Sequence, residues 1–529
     1  MMSRRSKSAV LVGFQDQGNL GLGYLASVLQ VNGFSCSIVD IGRGPDAILS
    51  EIRSSDPLVV GFSLIFQYYL PQYAALAGFL RSRGIECHFT IGGHFPSLWP
   101  EKTLDAIPEL DSVVRFEGEE TLLDLMHRLD RCQQWRNIPG IAYVRQGNVV
   151  KNSLRPLVSN LDELPYPYRT SFTNSTLGRM TQPVLATRGC PRDCAFCSIR
   201  EFYSQAPGKR VRRRSPANVA DEIGALHHDH GVSIFLFQDD DFPVIGNAGR
   251  RWVSSFIEEL ESRKLIGQIA WKISCRVDEI DFELFTQMKN AGLYLVYLGI
   301  ESGNSEGLRT LNKQVTIAEI VTAVSQLKQM GLMYAYGYML FDPGSTFSSV
   351  RENARFLSRL IGDGSAPTVF CKMLPYAGTA VFDSLAASGR LRGTTAQPDY
   401  DFLDPALDEY YRSLDRSMRQ WVHGKESVSH NLSAALHETA VIRSLFPPLA
   451  GIRPYEAVLR KLTKKANNLV LSAIHQSSTV FETRREFPFS AEVMDRKAQK
   501  FIGEIVDRRN TFILRNQDQM LASIDSKAG

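Results

Sequence analysis

Hydrophobic positions in the N-terminal part of the chain follow two alternating patterns. Short apolar runs, such as "AVLVGF" at 9–14 and "LVVGFS" at 58–63, have the length of buried strands. Between them lie segments in which apolar residues recur with helical spacing, the first ending at Gly33. This alternation predicts a parallel, doubly wound α/β sheet. The predicted strands are 9–14, 36–41, 58–63, 86–93 and 112–118.

Ligands of doubly wound sheets bind at the carboxyl ends of the strands. A glycine pair at such an end allows the backbone to approach a bulky ligand closely, and a helix that begins there can meet a phosphate with its amino end. The candidate binding residues at these ends are Gly18, Asn19, Gly21, Ser63, Gly92, Gly93, His94, Glu117 and Gly118.

A second alternation begins after a segment with a short hairpin ("GIAYVRQGNVVKN") and many Pro, Ser and Thr residues. Its predicted strands are 183–188, 233–239, 269–276, 293–302, 334–341 and 367–375. Its predicted helices are 216–229, 249–264, 281–291, 317–330 and 348–361. Six strand–helix units predict a partial (β/α)6 barrel rather than a complete eightfold one.

Beyond residue 400 only helical spacing remains, and no cofactor motif is evident. The sequence therefore predicts four regions. They are a doubly wound domain at 1–137, a linker at 138–180, a partial barrel at 181–400 and a helical domain at 401–529.

Composition excludes several classes of protein. The net charge is +4, which is too small to indicate a nucleic-acid partner by itself. No apolar stretch approaches the ~20 residues of a membrane-spanning helix, and the basic start lacks the apolar core of a signal peptide. Five of the 8 cysteines are scattered, which favours a reducing compartment over a disulfide framework. We expect a cytoplasmic protein.

One stretch, "RGCPRDCAFCS", contains the other three cysteines, Cys190, Cys194 and Cys197. It follows the first predicted barrel strand, at the end where barrel enzymes keep their chemistry. Thiolates select zinc or iron–sulfur clusters, and a structural zinc needs a fourth ligand at suitable spacing, which is not seen. Three cysteines on an iron–sulfur cluster would leave one iron open to a small molecule. Zinc or buried thiols are the alternatives.

The C-x3-C-x2-C spacing after the first strand of a partial barrel resembles the radical S-adenosylmethionine (SAM) enzymes, and Phe196 supplies the aromatic residue usual before the last cysteine. The resemblance implies that Cys190, Cys194 and Cys197 hold a 4Fe-4S cluster. SAM would bind the open iron and be cleaved to a deoxyadenosyl radical.

Other barrel strands end in residues that match this family. The resemblance implies that the carboxylates after the second strand hold the amino group of SAM. An arginine after the third strand could bind its carboxylate, and a Glu-Ser pair after the fourth would contact its ribose and carboxylate. These candidates are Asp239, Asp240, Asp241, Arg276, Glu301 and Ser302.

A basic segment precedes the second barrel helix. "GKRVRRR" at 208–214 is read most simply as a solvated loop before a helix capped near Ser215. Charge compensation for anionic cofactors or substrate is the alternative.

A doubly wound, Rossmann-like domain ahead of such a barrel resembles the cobalamin-binding branch of the family. The matching stretches are "GNLGLGYLASVLQVNGF", "VVGFS", "TIGGHFPSLWPEKTL" and "VVRFEGEETL". The D-x-H-x-x-G motif that supplies a histidine to cobalt is missing, so the resemblance implies base-off cobalamin without a histidine ligand. The loop after Ser63, "LIFQYY", would then face the lower side of the corrin. A degenerate domain that binds no cobalamin is the alternative.

These resemblances imply a cobalamin-dependent radical SAM enzyme that methylates an unactivated carbon, or phosphorus, of a small metabolite. They also imply an external electron donor of the flavodoxin or ferredoxin type, and no nucleic-acid or membrane partner. A radical SAM cyclase or rearrangement enzyme without methyl transfer, and a non-catalytic cobalamin or SAM sensor, remain alternatives. Methylthiolation would need a second cysteine cluster, which is not seen.

Overall fold

A computed structural model describes residues 6–15 and 18–525. The basic start of the chain and two positions of the first Gly-rich loop, 16 and 17, lie outside the described residues. The chain forms two compact units. The first comprises the described residues up to 172 with 182–222 and 375–399, and the second comprises 173–181, 223–374 and 400–525.

The sheet of the first unit has seven strands in the order β2-β1-β3-β4-β5-β6-β7. Its strands β1 to β5 are parallel, as predicted. The strand order reverses at β1, so the crevice for a ligand opens between the ends of β1 and β3. The elements are β1 Ser6–Gly13, α1 Leu20–Val31, β2 Ser35–Asp40, α2 Pro45–Ser55, β3 Pro57–Ser63, α3 Leu70–Ser82, β4 His88–Gly92, α4 His94–Leu98, α5 Pro100–Ala106, β5 Ser112–Val114, α6 Glu119–Asp130, β6 Ile141–Arg145 and β7 Asn148–Lys151.

Alternate residues of β1 serve two apolar cores, one on each face of this sheet. Val10 and Val12 belong to one core, and Ala9 and Leu11 belong to the other. A parallel strand covered on both faces is apolar throughout, which explains the continuous run in the sequence.

The hairpin β6–β7 extends the N-terminal sheet instead of standing apart from it. Ala142 pairs antiparallel with Val113 of β5, and both residues are buried. An unpaired β5 would present free backbone groups at the edge of the sheet, and the hairpin satisfies them.

The remaining elements follow in chain order. They are β8 Ser175–Thr176, β9 Arg179–Val184, β10 Thr187–Arg188, α7 Ser198–Gln205, β11 Arg212–Arg213, α8 Pro216–His230, β12 Val232–Phe237, α9 Gly246–Ser262, β13 Ala270–Arg276, α10 Phe282–Asn290, β14 Leu293–Glu301, α11 Ser305–Thr310, α12 Ile317–Met330, β15 Met333–Phe341, α13 Phe347–Ile361, β16 Cys371–Lys372, α14 Ala380–Ala387, β17 Leu391–Gly393, β18 Pro398–Tyr400, α15 Pro405–Val422, α16 Val428–Leu445, α17 Ile452–Arg484 and α18 Ala491–Asp525.

The sheet of the second unit has the order β16-β15-β14-β13-β12-β9-β8, with β12 to β16 parallel. This half-barrel agrees with the prediction, with two differences in strand length. The predicted first strand, 183–188, divides into the end of β9 and the short β10, which pairs antiparallel with β11. The predicted last strand, 367–375, is reduced to β16. The predicted segment begins with Pro367, which has no backbone N–H to donate to a neighbouring strand.

Successive residues of β13 face opposite sides of this sheet. Trp271 packs among Phe237, Phe242 and Phe256 on the side covered by helices. The opposite side, called here the inner face, has Lys272, Ser274 and Arg276 of β13, Tyr297, Gly299 and Glu301 of β14, and Ala335, Gly337 and Met339 of β15.

Four helices, α15 to α18, complete the second unit, as the helical spacing beyond 400 predicts. Trp421 packs on Phe501, and Tyr455 stacks on Phe512 with ring centroids 4.5 Å apart. His437 of α16 reaches the sheet, where its Nε2 lies 2.8 Å from the hydroxyl of Tyr294. In the part of the chain that the structure describes, no helix is both long and apolar enough to cross a membrane.

Candidate active site

The cysteine loop, residues 189–197, connects β10 to α7 in the first unit. Cys190, Cys194 and Cys197 form no disulfide bond, and each is half-buried. The backbone N–H of Cys197 donates to the carbonyl of Cys194 at 3.2 Å, so the last two cysteines share one turn immediately before α7. Gly189 has a φ of +85°, and an added Cβ would lie 2.0 Å from the Arg210 carbonyl oxygen, so only glycine fits at the start of the loop.

The three thiols have the ligand chemistry of an iron–sulfur cluster. Three cysteines on one loop are the soft ligands that iron–sulfur clusters take. Among the described residues, no group of three or more His, Cys, Asp or Glu side chains is arranged to hold one metal ion.

Buried ion pairs support the strand that leads into the loop. Nη1 of Arg188 lies 3.1 Å from Glu117 and Nη2 lies 2.6 Å from Glu119. Arg212 of β11 binds the same Glu117 carboxylate at 2.8 Å. Burial alone would raise the pKa of Glu117, but the two guanidinium groups outweigh it and hold this pKa below its ordinary value. The shared carboxylate joins Arg188 and Arg212, which are cross-strand partners in the β10–β11 pair.

The basic segment that precedes α8 is mostly structural, so its interpretation as a solvated loop is wrong for two of its arginines. Arg212 and Arg214 are only 4% and 2% exposed. Arg214 donates to Glu222 at 2.5 Å, and Glu222 also accepts from Arg169. A buried cation needs an anionic partner. Arg212 finds it in Glu117, 95 residues away in the sequence, which spacing within the basic segment does not reveal.

The helix after the cysteine loop touches the strand ends predicted to bind cobalamin. The ring of His94, at the start of α4, lies 4.5 Å from the ring of Phe202 in α7. Phe202 also contacts Phe116 at 5.3 Å. Burial lowers the pKa of His94 to about 4, so its imidazole is neutral near pH 7. The cysteine loop and the end of β4 therefore belong to one packed assembly within the first unit.

The residues predicted to bind cobalamin lie at or just after the carboxyl ends of the parallel strands. Asn19 caps α1 by accepting the Leu22 N–H at 3.0 Å. The carbonyl of Ser63 accepts from the hydroxyl of Tyr73 at 2.6 Å. Gly93 has a φ of +111°, and an added Cβ would lie 2.3 Å from the carbonyl oxygen of Leu64, so this glycine sets the path of the β3 loop. Gly21 lies in the first turn of α1, Gly92 ends β4 and Gly118 directly precedes α6.

The loop after Ser63 presents aromatic side chains. Phe66 and Tyr68 are exposed and stack with their centroids 5.4 Å apart. Between them, the buried Gln67 donates to the carbonyl of Thr395 at 2.7 Å and accepts the N–H of Ala377 at 2.9 Å. Gln67 thus holds the loop in place while its neighbours offer an apolar surface of the kind a corrin ring needs.

In the second unit, the three predicted aspartates differ in exposure. Asp239 and Asp241 are buried after β12, and Asp240 is exposed. Arg276, which ends β13, is also buried, and its Nε donates to Asp278 at 2.9 Å. These groups stand at the carboxyl ends of adjacent parallel strands, as the resemblance implied.

Glu301 occupies a strained position at the end of β14. Its φ is +66°, and the pairing with β15 shifts register between Gly299 and Glu301. Such strain in a non-glycine residue clusters at functional sites. The ammonium of Lys313 lies 3.2 Å from the Glu301 carboxylate. The neighbouring Ser302 is fully buried, with its hydroxyl 3.3 Å from Asn353 Oδ1.

Comparisons with known proteins identify the two chemical modules. Residues 7–126 match the model of the B12 binding domain, and residues 184–357 match that of the radical SAM superfamily. An uncharacterized methyltransferase of Pyrococcus horikoshii is 29% identical over 395 residues, which span 73% of this chain and 82% of the relative. An anaerobic magnesium-protoporphyrin IX monomethyl ester cyclase of Cereibacter sphaeroides is 28% identical over 275 residues, which span 50% of this chain but only 43% of the cyclase.

A solved structure shares the fold over nearly the whole chain. The cobalamin-dependent SAM radical enzyme OxsB, with aqua-cobalamin and SAM bound, superimposes with a TM-score of 0.69 at 15% identity and covers 98% of this chain and 83% of its own. The radical SAM module implies SAM and a 4Fe-4S cluster, and the B12 module supports cobalamin. From these two modules in this order, the chain belongs to the cobalamin-binding radical SAM enzymes.

Proposed function

We propose that this enzyme transfers a methyl group to an unactivated carbon, or to phosphorus, of a small metabolite. The contact between His94 and Phe202 supports the proposal most directly, because it packs α7, which follows the cysteine loop, against the start of α4, beside the proposed cobalamin site in the same unit. The name of the Pyrococcus relative points to the same class of reaction.

In this proposal, Cys190, Cys194 and Cys197 hold the cluster and leave one iron for SAM. The bound cluster and cobalamin supply the radical and methyl-transfer chemistry. The chain orients them, since the ion pairs of Arg188 fix the strand before the loop and α7 fixes its end. The carboxylate of Asp193 is held by Arg210 at 2.9 Å and Arg200 at 3.1 Å, which restrains the middle of the loop.

The SAM-binding residues are proposed to be Asp239, Asp240 and Asp241 for the amino group, Arg276 for the carboxylate, and Glu301 with Ser302 for the ribose side. The position of Asp239 and Asp241 supports this assignment, because they follow β12 at the carboxyl end of the half-barrel strands, next to the end of β13 where Arg276 lies. The strained backbone of Glu301 supports it as well.

The cobalamin is proposed to lie in the β1/β3 crevice, against Asn19, Gly21, Ser63, Gly92 and Gly93. The aromatic loop at Phe66 and Tyr68 would face the lower side of the corrin, in a base-off state. Glu117 and Gly118 stay in the proposal as neighbours of the crevice, although the Glu117 carboxylate is occupied by Arg188 and Arg212. An external donor of the flavodoxin or ferredoxin type would supply electrons in the cytoplasm.

Incubation of the reconstituted enzyme with methyl-labelled SAM, reductant and a panel of candidate metabolites tests the proposal. Label in the product, together with deoxyadenosine, supports methyl transfer. Deoxyadenosine with an altered but unlabelled product rejects it. That result would support a cyclase or rearrangement enzyme instead, the function named for the Cereibacter relative.

A further inference from the structure

Lys272 places a positive charge on the inner face of the half-barrel without a negative partner. It lies on β13 opposite Leu236 of β12 and Leu295 of β14. Its side chain is half-buried, and among the described residues its ammonium group forms no ion pair and no hydrogen bond. A cation that loses part of its hydration without gaining a partner destabilises the fold, so the position calls for an explanation.

The residues around Lys272 add no negative charge. The titratable group it interacts with is His437 of α16, whose Nε2 lies 2.8 Å from the hydroxyl of Tyr294. Burial, as the larger cause, and the positive charge of Lys272, as the smaller one, lower the pKa of His437 to about 4. This imidazole is therefore neutral near pH 7. Burial raises the pKa of Tyr294 well above its ordinary value, so its hydroxyl is also neutral near pH 7. Burial also lowers the pKa of Lys272 itself, as expected for an unpaired cation.

The carboxylate of SAM is not a suitable partner for this lysine. In the proposed function that carboxylate binds Arg276, four positions further along the same strand. Four residues of a strand span about 13 Å, so a single carboxylate does not contact both cations unless a side chain bends back along the strand. Between the two cations this face has Ser274 on β13, with Tyr297 and Ala335 on the neighbouring strands, and none of these three side chains is an acid or a base that would pair with Lys272.

We propose that Lys272 binds an anionic group, a carboxylate or a phosphate, of the substrate. The inference rests on the proposed function, since it assumes that substrate enters the half-barrel beside SAM. The substrate is then an acidic small molecule whose charged end lies against β13 and whose reacting atom lies toward the carboxyl ends of the strands. His437 and Tyr294 are neutral hydrogen-bonding groups beside the same anion.

The experiment titrates SAM-saturated holoenzyme with two probes, inorganic phosphate and acetate. Lysines are labelled by reductive 13C-methylation, and the Lys272 resonance is assigned by its disappearance in Lys272→Arg. We expect one probe or both to raise the pKa of Lys272, because a bound anion favours the charged amine. Phosphate alone would indicate a phosphate ester, and acetate alone would indicate a carboxylic acid.

Affinity gives the second measurement. We expect Lys272→Met to weaken binding of the effective probe by about tenfold or more, since hydrogen bonds to charged groups contribute about 1.5–3 kcal/mol. Lys272→Arg should retain most of the affinity for this probe. Lys500→Met, which replaces an exposed lysine on α18, should bind the probe as tightly as the parent does. An unshifted Lys272 resonance with both probes, or equal affinity in Lys272→Met, overturns the inference. Absence of deoxyadenosine from the parent would instead contradict the proposed function while leaving the titration valid.

Discussion

Arg188 and Glu117 form a buried ion pair, 3.1 Å between Nη1 and Oε1, across 71 residues of sequence. Arg188 directly precedes the cysteine loop, and Glu117 follows the last parallel strand of the N-terminal sheet. Arg212 binds the same carboxylate. The Rossmann-like sheet and the cysteine loop are thus joined by charge as well as by the His94–Phe202 contact, which makes the stability of one depend on the other.

Removal of this carboxylate should destabilise the first unit. Glu117→Ala removes the carboxylate that the buried guanidinium groups of Arg188 and Arg212 share. Breaking a buried ion pair in this way costs about 3–5 kcal/mol. We expect a lower denaturation midpoint and loss of iron from the reconstituted protein. Glu120→Ala, at an exposed carboxylate on α6, is the control. An unchanged midpoint in Glu117→Ala would contradict the role given to this network.

The same pair predicts a direction for the pH dependence of stability. The folded pKa of Glu117 lies below its ordinary value of 4.5. Its contribution to the free energy of unfolding is therefore complete above that value and is lost as the pH falls through the folded pKa. Chemical denaturation from pH 7 down to pH 3 should show a steeper loss below about pH 4.5 in the parent than in Glu117→Gln. Parallel curves of stability against pH for the parent and Glu117→Gln would contradict this contribution of Glu117.

Each cysteine of the loop should be needed for the cluster. Single alanine variants of Cys190, Cys194 and Cys197 should lose most of their iron and sulfide and all deoxyadenosine formation. Cys132→Ala, at an exposed thiol of the same unit, should keep both. Full iron content in any of the three loop variants would remove that cysteine from the ligand set.

Gly93→Ala tests the cobalamin crevice. The new Cβ would meet the carbonyl oxygen of Leu64 at 2.3 Å and displace the loop that follows β3. Gly84→Ala is a matched control, since its φ is +80° and nothing lies within 4 Å of the added Cβ. Both variants incur the backbone strain of about 1–3 kcal/mol, but only Gly93→Ala should bind less corrin. Equal corrin content in the two variants would argue against the crevice.

Glu301→Gln tests the SAM side. The substitution removes the negative charge that pairs with Lys313, and it weakens the proposed contact with the ribose of SAM. Because a charged hydrogen bond is worth about 1.5–3 kcal/mol, we expect the Kd for SAM to rise about tenfold or more. Equilibrium binding of labelled SAM measures this, and Glu283→Gln, an exposed position on α10, serves as the control. An unchanged Kd would exclude Glu301 from the SAM site.

The local hydrophobic pattern predicted much of this fold, and contacts between residues distant in the sequence determine the rest. The strands around Val10 and Val60 were predictable because a parallel strand buried on both faces is continuously apolar. The cysteine loop could be singled out from the sequence because its three thiols lie in one short stretch, and their role as cluster ligands stays a prediction. The attachment of β6–β7 to β5, and the burial of Arg212, depend on partners that only the folded chain brings near. The strain at Glu301 likewise arises from a register shift between β14 and β15, which periodicity does not encode.

Quantification of iron, sulfide and corrin on one anaerobically reconstituted sample tests the central claim most directly. We expect four iron and four sulfide atoms per cluster-loaded chain, about one corrin, and deoxyadenosine after addition of SAM and reductant. A preparation that binds zinc in place of iron, or iron and sulfide without SAM cleavage, would contradict the account.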